Sequence, residues 1–109
     1  MGDGVDYVSV GKFSSLREKR GVKVVVGGEE IALWRVGGKV YAIDNVCSHQ
    51  HIPAMHQGRL EGLTVACPMH GWTYSLETGL PLVGNGRIRT FRVKVEGDDV
   101  YVEVPPPRW

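Results

Sequence analysis

Thr90-Phe91-Arg92-Val93-Lys94-Val95-Glu96-Gly97-Asp98-Asp99-Val100-Tyr101-Val102-Glu103-Val104 decides the fold class. Phe91, Val93 and Val95 alternate with Arg92, Lys94 and Glu96, and Val100, Val102 and Val104 alternate with Tyr101 and Glu103. A period of two places one apolar and one wet face on each segment. Gly97-Asp98-Asp99 supplies the turn between them, so the stretch is predicted to be a closing hairpin of strands Thr90–Val95 and Val100–Val104.

The same grammar runs outward along the chain. Fifteen glycines interrupt short runs of valine, isoleucine and aromatics, which is an all-β signature. Further strands are expected at Tyr7–Val10, Val22–Val26, Ile31–Val36, Val40–Ile43, Thr64–Ala66 and Thr73–Ser75, with turns at Gly27-Gly28 and Gly37-Gly38. Ser15 followed by Glu18 fits a capping box, which predicts a short helix or turn over Ser14–Arg20. From about Asp44 to Gly84 the pattern changes. This stretch holds both cysteines, all four histidines and three of the six prolines, and it reads as a loop-rich subdomain inserted in a β scaffold. Pro105-Pro106-Pro107 cannot continue a ladder and predicts an extended tail.

The 109 residues fit one domain spanning 1–109, and their 42% hydrophobic and 23% charged content is ordinary for a globular protein. The net charge of +1 leaves no basic excess for a phosphate backbone, so no nucleic-acid partner is expected. Arg17–Lys19–Arg20 and Arg87–Arg89–Arg92 are read as solvated faces. No run of 18 apolar residues exists, so no membrane partner is expected. The first residues lack a signal-peptide pattern, and Asp6 breaks the myristoylation pattern. A cytoplasmic location is expected. There, two cysteines among histidines point to a metal site rather than a disulfide.

Cys47-Ser48-His49 is a C-x-H pair and Cys67-Pro68-Met69-His70 a C-x-x-H pair, with seventeen residues between His49 and Cys67. Each loop offers one thiolate and one imidazole. A Cys2His2 zinc site would use these ligand types, but C-x-H is short for bending two ligands onto one ion. His51 and His56 are read as surface or loop-packing residues, with His51 alternatively near the metal centre.

Cys67-Pro68-Met69-His70-Gly71-Trp72 resembles the C-P-x-H-G-W loop of Rieske proteins, which pair it with C-x-H at this spacing. Tyr74, Glu77-Thr78-Gly79, Val40-Tyr41-Ala42-Ile43-Asp44 and Gly58-Arg59-Leu60-Glu61-Gly62 extend the likeness to soluble bacterial members, the ferredoxin components of ring-hydroxylating dioxygenase systems. The resemblance implies a small antiparallel β-sandwich or incomplete barrel with an inserted rubredoxin-like cluster-binding subdomain over roughly 44–84, the fold of Rieske iron–sulfur proteins. It implies one Rieske-type [2Fe–2S] cluster, with Cys47 and Cys67 on one iron and His49 and His70 on the other, and proton loss from the imidazoles coupled to oxidation at high pH. Neutral imidazoles in place of two thiolates raise the potential.

The respiratory members carry an extra cysteine pair and a serine after the second loop. Here Ile52 and Met69 supply no such cysteines, and Trp72 stands at the serine position. Tyr74 matches a tyrosine that donates to sulfur, with core packing as its alternative role. Pro68 would stiffen the second loop, and Gly71 and Gly79 would let backbone approach the cluster or turn sharply. Ile52, Pro53, Met69, Trp72, Leu80 and Pro81 would form a shield or docking patch.

The expected function is that of a soluble electron carrier, not an enzyme, with no catalytic residue and no small-molecule substrate of its own. Its partners would be a reductase and a terminal oxygenase or similar acceptor. The small subunit of a nitrite-reductase-like complex and a zinc-stabilised binding module are the alternatives.

Overall fold

A computed structural model of the protein describes residues 6–46, 55–68, 72–83 and 87–104. Eleven strands occur among the described residues, with no α-helix: β1 (Tyr7–Lys12), β2 (Gly21–Val26), β3 (Glu29–Val36), β4 (Lys39–Asp44), β5 (Arg59–Glu61), β6 (Thr64–Ala66), β7 (Thr73–Ser75), β8 (Pro81–Val83), β9 (Thr90–Phe91), β10 (Val93–Glu96) and β11 (Asp99–Glu103). They form three antiparallel sheets, ordered β1-β11-β10, β2-β3-β4-β9 and β5-β6-β7-β8. The all-β expectation holds.

Leu33 and Ile31 of β3 pack with Phe91, Val100 and Val102 in one core. Ala32 and Trp34 of the same strand pack with Met55, Val65, Tyr74 and Ile88 in a second. β3 is therefore covered on both faces, which explains why Ile31-Ala32-Leu33-Trp34 is continuously apolar instead of alternating. Trp34 is 1% exposed, and burial of such a side chain contributes roughly 2–3 kcal/mol. The first core joins the two scaffold sheets. The second joins the scaffold to the β5–β8 sheet.

Gly27-Gly28 and Gly37-Gly38 form the predicted two-residue hairpin turns, all four at positive φ. β6 and β7 match their predicted bounds. Several expectations are corrected. The strand predicted over Thr90–Val95 is two strands: β9 pairs with β4, β10 pairs with β11, and the chain changes sheets at Arg92. Val95 is accordingly 40% exposed instead of facing a core. The β5 and β8 strands are additional, held by only three and two paired positions respectively.

Ser14–Arg20 is not a helix. Only Phe13–Ser15 makes a 3₁₀ turn, and Lys19 sits at φ 61°, outside right-handed helical space. Glu18 turns away from Ser15 and accepts the Gly37 N–H at 2.8 Å. The Arg35 guanidinium, 4.1 Å over the Phe13 ring, takes the Phe13 and Leu16 carbonyls instead. Ser14 donates its backbone N–H and hydroxyl to Asp98, at 2.9 and 2.6 Å, and these bonds hold the Asp98 carboxyl below its usual pKa.

Arg89 is not a solvated residue of a basic face. Its Nε and Nη2 grip Asp44 at 2.9–3.2 Å, and Nη2 also reaches Glu29 at 2.9 Å. Burial lowers its pKa, but hydrogen bonding to Asp44, the Asp44 charge and then Glu29 outweigh burial, so the net direction is upward. Arg17, Lys19, Arg20, Arg87 and Arg92 are exposed, as expected.

Candidate metal centre

β6 and β7 form a hairpin whose inward face can be read from register. Val65 is opposite Tyr74 and Ala66 opposite Thr73, which sets Cys67 beside Trp72. The Cys67 N–H donates to the Trp72 carbonyl at 2.7 Å and ties together the two ends of the segment 68–71. Inward positions recur every second residue, so Val65 and Cys67 share a face, at 0% and 2% exposure. Tyr74 lies on that face too, one pair removed from Cys67. A diagonal of this kind spans about 7–8 Å, within reach of a tyrosine side chain. Tyr74 is fully buried in the core that contains Cys67, Met55 and Leu76.

The first predicted ligand segment leaves the scaffold at the end of β4 and returns at the 3₁₀ turn Met55–Gln57. Its two ends are hydrogen-bonded: the Met55 N–H donates to the Asn45 carbonyl at 2.9 Å. Met55 shares a core with Cys67. One end of each predicted ligand segment is therefore packed into the same apolar cluster.

Of the four predicted ligands, Cys67 lies among the described residues, buried at the end of β6. Cys47, His49 and His70 lie outside them, as do His51, Gly71, Ile52, Pro53 and Met69. Among the described residues, no group of three or more His, Cys, Asp or Glu side chains is arranged to hold a metal ion. A buried cysteine at the mouth of a hydrogen-bonded loop suits a cluster thiolate. His56 is a loop-packing residue, as expected, with Nδ1 3.0 Å from Asn45 Oδ1.

Pro68 is exposed at the turn after Cys67, and Trp72 is half-buried against the core. Gly79 makes a sharp turn at φ 76°, and its close neighbour is the Ile88 backbone. Of the apolar patch, Leu80 is 50% exposed, and Leu82, which the pattern did not single out, is 60% exposed. No helix among the described residues is long and apolar enough to cross a membrane.

The profile of the Rieske [2Fe-2S] domain matches residues 6–100. The chain belongs to the Rieske [2Fe-2S] domain family. The cofactor of this Rieske chain is a Rieske-type [2Fe–2S] cluster. The chain is 39% identical over 83 residues to the ferredoxin component of the naphthalene 1,2-dioxygenase system of Pseudomonas aeruginosa, covering 74% of this chain and 79% of that one. The ferredoxin of carbazole 1,9a-dioxygenase from Nocardioides aromaticivorans IC177 superposes with a TM-score of 0.86 at 28% identity, covering 91% of this chain and 98% of that one. A candidate NADH-dependent nitrite reductase small subunit from Mycobacterium tuberculosis has the same fold, with a TM-score of 0.88 at 21% identity over 96% of this chain and 100% of that one. At that identity the likeness extends to the fold alone.

Three features of the site escaped the sequence pattern: the fully buried Asn45, the Asp44–Arg89–Glu29 network and Leu82. The one local signal for the first two was a polar Asp44-Asn45 pair closing an apolar strand just before Cys47.

Proposed function

We propose that this Rieske protein is a one-electron carrier that passes electrons from a reductase to a terminal oxygenase or similar acceptor. Cys47 and Cys67 hold one iron as thiolates, and His49 and His70 hold the other as neutral imidazoles. The bound cluster supplies a one-electron couple. The chain's own residues give it a dry, fixed setting: Cys67 is presented from a buried position, and the Cys67–Trp72 bond sets the width of the second loop. The observation that carries this reading is the burial of Cys67 in one core with Met55, at the returning end of the first ligand segment.

Identity to the dioxygenase ferredoxin of Pseudomonas aeruginosa favours the carrier reading over a nitrite-reductase small subunit, whose likeness is confined to fold. The decisive experiment is an electron paramagnetic resonance spectrum of the dithionite-reduced protein. The expected signal has the low average g-value of a cluster with mixed sulfur and nitrogen ligands. A silent, colourless protein with one zinc per chain would overturn the reading.

Tyr74 is assigned a tuning role, its hydroxyl donating to the cysteine sulfur on its own face of the hairpin. A hydrogen bond that favours the reduced state by about 1 kcal/mol corresponds to about 40 mV for one electron. Tyr74→Phe is therefore expected to lower the midpoint potential by about that amount in protein-film voltammetry. An unchanged potential would leave Tyr74 with packing alone.

A further inference from the structure

Asn45 has no exposed surface and sits where β4 hands over to the first ligand segment. Its backbone carbonyl accepts the Met55 N–H at 2.9 Å, and its side-chain Oδ1 accepts the His56 N–H at 2.7 Å. The His56 Nδ1 is 3.0 Å from the same oxygen. A backbone N–H can only donate, so the atom facing it is the amide oxygen, and the ring nitrogen sharing that oxygen carries the proton. On the scaffold side, the Asn45 N–H donates to the Glu30 carbonyl at 3.1 Å, and Nδ2 donates to the Glu30 carboxylate at 3.3 Å. One buried residue thus ties both ends of the segment to each other and to β3.

The 3₁₀ turn that receives these bonds is seated without slack. A Cβ at Gly21 would stand 2.2 Å from the His56 carbonyl oxygen and 2.8 Å from Trp34 Cζ2. Gly21 begins β2, so the scaffold sheet lies directly against the turn. Its position is set from one side by close packing and from the other by Asn45.

We propose that Asn45 is a positioning residue for the cluster: it brings no ligand atom, but it fixes the chain entering and leaving the segment that carries Cys47 and His49. This rests on the ligand assignment proposed above. Partners of a metal's ligands tune the metal through orientation, and Asn45 does so through the backbone. A buried, hydrogen-bonded amide is costly to replace, because the two His56 N–H groups would lose their acceptor and the Glu30 carboxylate a donor.

The test compares the loaded wild-type chain with Asn45→Ala and with the exchanged pair Asn45→Asp/Glu30→Gln. In the exchanged pair the carboxylate at 45 keeps an acceptor for both His56 N–H groups, and the amide at 30 donates back to it. Three readouts are taken: deuterium uptake of the peptide spanning 55–58, the midpoint potential and the g-values of the reduced protein. Asn45→Ala is expected to speed exchange in that peptide by about tenfold, the effect of losing one to two buried hydrogen bonds, and to shift both the potential and the g-values. The exchanged pair is expected to restore all three.

Unchanged exchange and unchanged g-values in Asn45→Ala overturn the proposal, as does failure of the exchanged pair to recover them. If Asn45→Ala does not fold, His56→Ala, which removes only the ring bond, takes its place. A smaller acceleration with a shifted g-tensor supports the proposal, and no change overturns it. A wild-type protein without the mixed-ligand signal removes the ligand assignment instead, while exchange in the 55–58 peptide still reports the clamp by itself.

Discussion

Gly79→Ala is expected to destabilise the protein by about 3 kcal/mol or more, lowering its thermal midpoint by roughly 10–20 °C for a domain of this size. Two separate costs meet at this position. Its φ of 76° lies in the left-handed region, where a side chain costs about 1 kcal/mol. A Cβ would also stand 2.0 Å from the Ile88 carbonyl oxygen and 3.1 Å from its carbon. Backbone cannot yield as a flexible side chain does. The two segments must part, and the Ile88 N–H loses its 3.1 Å bond to the Gly79 carbonyl. Ile88 is 1% exposed in the core that also holds Cys67 and Tyr74, so the damage is expected to reach the proposed ligand Cys67.

Gly62 provides the control. Its φ is 61°, and a Cβ there would meet nothing within 4 Å. Gly62→Ala is therefore expected to cost only the conformational term, about 1 kcal/mol. Differential scanning calorimetry of the two variants separates the contributions. A Gly79→Ala midpoint within a few degrees of wild type would show that the close approach to Ile88 is unimportant.

Arg89→Met is the second large effect expected. The methionine keeps most of the aliphatic stem but leaves Asp44 and Glu29 without their shared cation, their side chains only 10% and 21% exposed. Removing one partner of a buried charge pair costs about 3–5 kcal/mol. Arg89 itself is 32% exposed, so solvent screening reduces this to about 2 kcal/mol. The backbone bonds Asp44 N–H to Arg89 carbonyl and Arg89 N–H to Asp44 carboxylate survive the substitution, so the fold should persist.

The pH dependence follows from the sign of the shift. The guanidinium's folded pKa is raised above its ordinary value, so its contribution is complete below that ordinary value and is lost only as pH rises through the folded one. The loss in Arg89→Met measured by urea unfolding is therefore expected to be nearly constant between about pH 6 and 9. Because Asp44 adjoins Asn45, the variant should also lose its visible absorbance faster on storage. Wild-type stability in Arg89→Met would mean that the ion network is only a surface decoration.

Alternation in Val100–Val104, glycine pairs at the hairpin turns, and the bounds of β6 and β7 were legible because each depends on neighbours within a few residues. The ligand motif was legible for the same reason: C-x-H and C-x-x-H are local spacings set by the reach of a loop. Of the short helix or turn expected over Ser14–Arg20, the helix did not form because Glu18 and Arg35 found better partners in the β3–β4 turn and in the Phe13 and Leu16 carbonyls than a capping box offers.

By itself, then, the amino-acid sequence determined the all-β class and the family, and it supplied the four candidate ligands that the proposed function uses. Only the tertiary structure decided that the chain changes sheets at Arg92, that Arg89 is locked to Asp44 and Glu29, and that Asn45 is bonded to the Met55–His56 turn. The physical reason is range. Arg89 meets partners 45 and 60 residues away, and Asn45 meets partners 11 and 15 residues away. A polar residue acquires such partners from the packing of sheets, which no local period encodes.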